Sequence, residues 1–302
     1  MNGLLLVNKP AGITSHDVVV RLRRAADIRR IGHAGTLDPF ATGLMLVLLG
    51  RATRLSQFFL AMRKEYRLRL RLGEESDTLD VTGKIVRRTP VQVSEDQFRQ
   101  ALALFLGEIQ QIPPMFSAVK MGGRKLYEMA RRGLTVDRAP RAVSITQLQI
   151  LCLNLPEAEI LLQCSSGTYV RSLVHDLGRA LGCGALVTQL CRTAVGPYRL
   201  NEALALPERE GMSPPGAGGV SPVAEDAGTG WKSAVISPDE LLQEIPGRVV
   251  SGTEIERIRH GQDLARVGAD QAGWVRLLDP ERRLVAMGVV QETAVHPRIV
   301  LV

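Results

Sequence analysis

The chain is poor in cysteine, and its few cysteines are badly spaced for cross-links or for metal. Four cysteines occur in 302 residues, with no CxxC pair and no nearby histidine at the spacing of zinc ligands. This pattern argues against both a disulfide framework and a structural metal site. We therefore expect buried free thiols at Cys152, Cys164, Cys183 and Cys191.

The chain also lacks long apolar runs and internal repeats, and we expect that its first segment is not a secretion signal. Its longest apolar stretches, such as LMLVLL at 44–49, fall far short of the roughly 20 residues that a membrane-spanning helix needs. The start, MNGLLLVNKPAG, has no basic segment, and its apolar run ends at Asn8 and Lys9. We expect a cytoplasmic protein without a membrane span.

Positive charge is what the chain has in excess. It carries 38 lysines and arginines against 31 acidic residues, a net charge of +7, with 45% hydrophobic residues as in a globular protein. This balance favours a polyanionic partner, either nucleic acid or an acidic membrane surface. The length fits one large domain or two ordinary ones.

Hydrophobic patterns predict mixed strands and helices in the first 200 residues. Residues 42–49 are apolar throughout and bounded by glycines, which is typical of a strand covered on both faces. Residues 64–72 alternate between leucines and arginines, which predicts a half-buried strand with a basic outer face. Helices are predicted after a cap at Thr14 or Ser15, after a cap at Ser94 and at 168–182, and two strands joined by a Pro-containing turn are predicted at 142–167.

The composition changes after Leu206. Residues 205–237 are rich in Gly, Pro and Ser, which predicts a flexible linker. Residues 237–262 have helical spacing and are followed by short strands, so a small β-rich domain at 238–302 is predicted. Because strands and helices do not alternate regularly, we expect an α+β catalytic domain at 1–204, with a mixed or antiparallel sheet.

Asp38 is the first candidate for chemistry. Pro39 disfavours helical geometry at Asp38, and Gly32 and Gly35 leave room for a ligand to approach. Asp38 is therefore either a catalytic carboxylate on a loop or an ordinary turn residue. His33 is a general acid or base, a wedge into a substrate, or a hydrogen-bonded structural residue, since no second metal ligand is close in sequence.

A second candidate stretch is CSSGTYVRSLVHDLG. Arg171 falls in the first turn of a predicted helix, where the macrodipole disfavours a cation, so a nearby anion is expected, either Asp38 or a phosphate. Tyr169 and Tyr66 could stack on a base or simply pack in the core. Lys9 either forms a turn with Pro10 or contacts phosphate.

Two other polar segments are less specific. Residues 111–133 place basic residues around Tyr127, which suits either an RNA backbone or a solvated charged face. Asp77 and Asp80 lie in GEESDTLDVTG, which lacks the ligand series of a calcium loop. A hairpin turn is the expected role of this segment.

Five ordered motifs over residues 1 to about 204 resemble the bacterial tRNA pseudouridine synthase B (TruB) family. They are KPAGITS, GHAGTLDPFATGLM, KEYRLRLRLGEESDTLD, PPMFSAVKMGGRKLYEMAR and SSGTYVRSLVHDLG. The resemblance implies a pseudouridine synthase fold, with a C-terminal domain similar to the PUA-like appendage of this family. Cys191 stands where the family usually has arginine, which leaves an RNA contact at that position in doubt.

The resemblance also assigns roles to single residues. It implies that Asp38 is the catalytic aspartate, that Tyr66 stacks on the target base, and that Tyr169 and Arg171 line the pocket. His33 would insert into the RNA loop in place of the flipped base, and Leu190 would be an apolar pocket residue. Lys9, in the first motif, is the expected phosphate contact.

The implied activity is isomerisation of uridine 55 in the tRNA T arm to pseudouridine, by a monomer that needs no metal or cofactor. The target base must be flipped out of its loop, and the aspartate acts either as a nucleophile, at C6 or C1′, or as a base. Two alternatives stay open. One is a non-catalytic tRNA-binding or RNA-folding protein, and the other is a hydrolase that pairs Asp38 with Asp77 or Asp80.

Overall fold

A large mixed sheet is formed by strands that lie between residues 3 and 205. A computed structural model gives the structure of residues 1–26, 28–117, 119–206, 230–267 and 272–302. Among these residues, ten strands form the large sheet: β1 (Gly3–Lys9), β2 (Ile31–His33), β3 (Thr42–Leu49), β4 (Lys64–Leu72), β7 (Gly107–Gln111), β10 (Arg141–Asn154), β11 (Glu157–Cys164), β12 (Ala185–Val195), β13 (Tyr198–Arg199) and β14 (Leu204–Ala205). Their main path is β14-β1-β3-β12-β4-β11-β10-β7, while β2 pairs with β3 and β13 with β12.

Smaller elements surround this sheet, and a second sheet follows it in the chain. The helices are α1 (Ser15–Ala26), α2 (Ser56–Ala61), α3 (Glu95–Ala103), α4 (Leu126–Ala130), α5 (Val170–Ala180) and α6 (Gly252–Arg259). The remaining strands are β5 (Glu74–Ser76), β6 (Ile85–Arg88), β8 (Lys120–Met121), β9 (Arg124–Lys125), β15 (Gly247–Val249), β16 (Leu264–Ala265), β17 (Gly273–Leu278), β18 (Leu284–Val290) and β19 (Ala294–Val300). The last five form the second sheet, in the order β15-β17-β18-β19-β16.

Strand β3 is buried on both faces, as its continuous apolar run predicted. Met45, Val47 and Leu49 point into a core that includes α1 and α5. The alternate residues point into a second core on the opposite face. Because successive side chains of a strand point to opposite faces, an apolar residue at every position is required here. This strand fixes the loop that precedes it, which carries Asp38.

Strand β4 alternates as predicted, but its outer face is not a free basic surface. Arg67 and Arg69 both form ion pairs with Glu159, and Arg71 pairs with Glu157 at 2.7 Å. Both glutamates lie on β11, the antiparallel neighbour of β4. Cross-strand neighbours therefore neutralise the arginines, a pairing that needs knowledge of which strands are adjacent.

The second sheet shares a core with the first. Leu278, Met287 and Leu301 pack in one apolar cluster with Leu44 and Phe59. The ring of Phe58 also meets that of Trp274 edge-on, with centroids 4.8 Å apart. The two sheets are thus joined by buried apolar surface.

The region between the sheets differs from the sequence expectation where it is described. Of the predicted linker 205–237, residues 207–229 lie outside the described residues. Ile236 exchanges two backbone hydrogen bonds with Leu4, and Val235 packs against the core. The helical spacing predicted over 237–262 yields a 3-10 turn at 238–240, β15 and the short α6. A proline at 246 and glycines at 247 and 252 interrupt a longer helix.

Gly43 allows β3 to approach β12 closely. It has φ +104°, and a Cβ atom there would lie 2.4 Å from the carbonyl oxygen of Arg192. We expect Gly43→Ala to lower the free energy of unfolding by about 3 kcal/mol, since strain and overlap add. Gly12 is the matched control, with φ +84° and no atom near its added Cβ. Gly12→Ala should cost about 1 kcal/mol in the same denaturant titration, from strain only; equal losses would contradict the overlap.

Candidate active site

The loop between β2 and β3 presents Asp38 at the edge of a cavity. The amide of Ala41 donates to the carbonyl of Asp38 at 3.1 Å, which closes a tight turn around Pro39. Asp38 keeps 33% of its side-chain surface exposed. The predicted extended or turn geometry before proline is therefore what brings this carboxylate to a surface.

Arg171 forms a two-pronged ion pair with Asp38. Its Nη2 donates to Oδ1 of Asp38 at 2.9 Å, and its Nε lies 2.9 Å from Oδ2. The guanidinium is 4% exposed. Such fork geometry fixes the orientation of a carboxylate as well as its charge. The anion expected from the position of Arg171 in the first turn of α5 is thus Asp38.

The remaining donors of Arg171 are fixed by the protein. Nη1 donates to the carbonyl of Thr78 at 2.8 Å, and Nη2 also donates to the carbonyl of Phe116 at 2.8 Å. The carboxylate of Asp80 lies 3.5 Å from Nη1. With these contacts the guanidinium cannot turn away from Asp38.

Asp80 is a buried second carboxylate that the sequence reading treated as part of a turn. Its Oδ1 accepts from the Thr82 amide and the Thr78 hydroxyl, both at 2.9 Å. These are the turn hydrogen bonds that were expected, and Asp77 likewise accepts from the Lys84 amide. The contact between Asp80 and Arg171 spans 91 positions of the chain, so local sequence carries no signal for it.

A cavity of about 320 Å³ opens beside Asp38, at the lower end of the range for small-molecule sites. The aromatic residues predicted to meet a base, Tyr66 of β4 and Tyr169 at the start of α5, both line it, together with Leu190 of β12. Gln111 fixes Tyr169 by accepting from its amide at 2.7 Å and donating to its carbonyl at 3.0 Å. Other lining residues include Gly35, Thr36, Lys64, Ser117, Ser165 to Thr168, Arg171 and Arg192.

Burial sets the protonation of the site. It raises the pKa of Asp38, while the adjacent Arg171 guanidinium favours the charged carboxylate and opposes that rise. Burial likewise raises the pKa values of the Tyr66 and Tyr169 phenols, which keeps both rings neutral. The cavity is thus lined by an oriented carboxylate and by two uncharged aromatic rings.

Lys9 is a correction to the sequence expectation. It is fully buried, and its Nζ donates to the carbonyls of Pro10, Pro39 and Ala41 at 2.7 to 3.2 Å. Burial lowers its pKa to about 8. Because this ammonium holds the chain just after Asp38, it is not free to contact a substrate phosphate.

His33 lies outside the lining of the cavity. His33 ends β2 and is partly buried, and it is not among the residues that line the cavity. Burial lowers the pKa of His33, which favours the neutral ring.

The expectation of four buried thiols is only half right. Cys164 and Cys183 are buried, but Cys152 is exposed and Cys191 is half-exposed, because these two residues lie at outward-facing strand positions.

Three further residues at the cavity were not identified from sequence. Arg192 and Lys64 are buried cations, and Ser117 is a buried polar residue. A lysine or arginine in a strand usually lies on the solvent-exposed face. The sequence around Arg192 and Lys64 therefore did not indicate that these two side chains are buried. Asp80 is absent from the cavity lining. A hydrolytic carboxylate pair with Asp38 therefore has no support in the geometry.

Comparison with known proteins gives a consistent result over the whole chain. The N-terminal domain model of TruB family pseudouridylate synthases matches residues 23–170, the tRNA pseudouridylate synthase B C-terminal domain matches 171–208, and the C-terminal model of pseudouridine synthase II TruB matches 246–301. A tRNA pseudouridine synthase B of Burkholderia pseudomallei is 39% identical over 310 residues, covering 100% of this chain and 97% of that protein. The protein of the same name from Opitutus terrae is 45% identical over 216 residues, covering 71% and 90%.

The fold has a counterpart among solved structures. A chain in the crystal structure of a Cbf5-Nop10-Gar1 complex superposes with a TM-score of 0.71 and 25% identity, covering 99% of this chain and 85% of that one. The predicted α+β class, with a mixed sheet and a β-rich C-terminal unit, is confirmed. In the described part of the chain, no helix has the length and apolar character needed to cross a membrane.

Proposed function

Because this chain belongs to the TruB family of pseudouridylate synthases, we propose that it isomerises uridine to pseudouridine in tRNA, at position 55 of the T arm. The observation that supports this most directly is the Asp38–Arg171 pair at the edge of a cavity walled by two tyrosines. An oriented carboxylate beside aromatic rings is suited to a flipped base. A non-catalytic role would leave this pairing without a use.

The reaction asks for a site that retains the base while two bonds exchange. The bond from N1 of uracil to C1′ breaks, the bond from C5 to C1′ forms, and the C5 hydrogen leaves while N1 gains a proton. Asp38 acts as a nucleophile, at C1′ or C6, or as a base that gives a glycal-like intermediate. Tyr66 and Leu190 hold the detached ring by stacking and apolar contact, and Arg171 keeps the carboxylate aimed at it.

Release of tritium from C5-labelled uridine tests this proposal. A T-arm stem-loop carrying the label at position 55 should release tritium and yield pseudouridine as the product nucleoside. A stem-loop with cytidine at that position is the matched control. Free uracil as the product would instead indicate a hydrolase, and tight binding with no release would indicate a non-catalytic RNA-binding protein.

The residues that meet the phosphate backbone should be the arginines that lack acidic partners. Arg23 and Arg24 at the end of α1 are exposed and form no ion pair with a described residue, in contrast to Arg67 and Arg69 of β4. For Arg23→Ala/Arg24→Ala, we expect the slope of log affinity against log salt to shrink by roughly 0.7–0.9 per lost phosphate contact. The control Arg67→Ala/Arg69→Ala should leave the slope unchanged, and the reverse pattern would contradict the assignment.

The proposal extends to assembly and location. We propose that the protein acts as a monomer in the cytoplasm, where tRNA is the substrate. Sedimentation at working concentration tests the monomeric state.

We further propose that residues 1–204 form the catalytic domain and residues 238–302 a PUA-like RNA-binding domain. Limited proteolysis would test this division.

A further inference from the structure

Buried side chains hold the chain on both sides of Asp38. The Lys9 ammonium donates to the carbonyls of Pro39 and Ala41, which follow Asp38. The Ser15 hydroxyl accepts from the amide of Leu37 at 2.9 Å and donates to the carbonyl of Leu37 at 3.0 Å. Arg192 binds the two carbonyls before Leu37. Every polar backbone contact of a loop removes freedom from the side chain it carries, so this set determines where the carboxylate lies.

Arg192 is the most extensive of these anchors. Nε donates to the carbonyl of Leu44 at 2.7 Å, Nη2 to that of Gly35 at 3.1 Å and Nη1 to that of Thr36 at 3.4 Å. The residue is 1% exposed. One guanidinium thus joins the start of the Asp38 loop to β3, and its planar fork supplies donors in directions that a lysine cannot match.

The same guanidinium lies beside the stacking ring. In the antiparallel pairing of β12 with β4, Arg192 stands directly opposite Tyr66, so the two side chains share a face of the sheet. It also interacts with the Tyr66 phenol, an effect that opposes the rise of the phenol's pKa by burial. Arg192 therefore touches both elements that must be set against the base, the Asp38 loop and the Tyr66 ring.

The charge of Arg192 has no counter-ion in the described structure, since its partners are carbonyl oxygens. Burying a cation without a carboxylate is costly, and an apolar side chain of similar length would avoid that cost. The nearby Lys9 and Lys64 are affected too: burial lowers the pKa of each to about 8, and the charge of Arg192 adds to that shift. Core packing does not explain a residue that raises the cost of its neighbours' charges.

We propose that Arg192 is a positioning residue for the isomerisation, which fixes the Asp38 loop against Tyr66 while its guanidinium donors bind backbone carbonyls. The inference rests on the proposed function. It predicts that loss of the guanidinium slows the chemical step and leaves RNA affinity nearly intact. The residue is distinct from Arg171, which contacts the carboxylate itself.

Single-turnover kinetics on the labelled T-arm stem-loop test the inference. For Arg192→Met we expect the maximal rate to fall about 100-fold, the loss that follows a displacement near 1 Å, while the half-saturating enzyme concentration changes by less than about 2-fold. Arg192→Lys, which keeps the charge but loses the fork, should recover part of the rate. Arg69→Met, an exposed arginine on the neighbouring strand, is the control and should match the wild type.

The pH profile separates positioning from simple destabilisation. Asp38 is faced by Arg171 of α5, by Asp80, by Lys9 of β1 and by the phenols of Tyr66 and Tyr169. A displaced loop weakens the ion pair with Arg171, which raises the pKa of Asp38. Since the ionised carboxylate is the active form, the acidic limb of the rate profile should move to higher pH in both Arg192 variants. Circular dichroism over the same pH range separates this shift from unfolding.

Several outcomes would overturn the inference. A folded Arg192→Met protein with a wild-type maximal rate would do so, as would one that loses affinity and salt dependence, since Arg192 would then bind phosphate. If Arg192→Met does not fold, Arg192→Lys decides, and a wild-type rate with an unmoved acidic limb contradicts the proposal. Absence of pseudouridine with the wild-type protein would instead contradict the proposed function.

Discussion

Asp38→Asn should abolish turnover while the protein stays folded and binds RNA. Asparagine has the size of aspartate and still accepts a hydrogen bond from Arg171, but it is a poor nucleophile and no base. We expect the single-turnover rate to fall by about four orders of magnitude or more, as when one member of a cooperating catalytic set is removed. Tritium release and nucleoside analysis of the T-arm stem-loop give the measurement.

Binding must be measured beside turnover for that result to be specific. The affinity of Asp38→Asn for the stem-loop should stay within a few-fold of wild type, because phosphate contacts supply most of the affinity. Asp77→Asn is the matched control, since Asp77 accepts from a backbone amide outside the cavity. Wild-type turnover in Asp38→Asn, or equal losses in both variants, would remove Asp38 from its proposed role.

Arg171→Met should affect both stability and turnover. The change leaves the carboxylates of Asp38 and Asp80 without their shared cation. Removing one partner of a buried ion pair costs about 3 kcal/mol or more in unfolding free energy. Turnover should fall at least about 100-fold, because the carboxylate is no longer held in place.

A double-mutant cycle separates the two effects. Adding Asp80→Asn to Arg171→Met removes one uncompensated carboxylate, so the double variant should be more stable than Arg171→Met while remaining slow. Arg171→Lys keeps the charge but not the two-pronged geometry, and should be stable and slow. A fully active Arg171→Lys protein would show that charge suffices and geometry does not matter.

Much of this site could be predicted because its residues occur in short, ordered motifs. The proline after Asp38, the cation in the first turn of α5 and the alternation around Tyr66 each have a local physical meaning. They predicted that Asp38 lies on a loop or turn and that Arg171 has an anionic partner, which was either Asp38 or a phosphate. The burial of β3 on both faces could also be predicted, because such a strand needs an apolar residue at every position.

What sequence could not provide were contacts between distant segments. Asp80 reads as a turn residue because its local hydrogen bonds are those of a turn, and only the fold brings it to Arg171. Lys9 and Arg192 carry charges that usually lie at a surface, yet the sheet places both under the Asp38 loop. The glutamates that neutralise the arginines of β4 belong to a strand about 90 positions away. Adjacency of strands, which decides all three, is a property of topology.

The core shared by the two sheets has a consequence for how the molecule melts. Leu301, one position before the last residue of the sequence, lies in the same cluster as Leu44 of the central strand, and Arg51 donates to the carbonyl of Leu301 at 2.7 Å. A cluster that spans both sheets couples their unfolding, so heating should produce one calorimetric transition instead of two. Deletion of β19, the final strand, would then expose the face of β3 that carries Leu44. Because β3 supports the loop that carries Asp38, this deletion should destabilise the active-site loop.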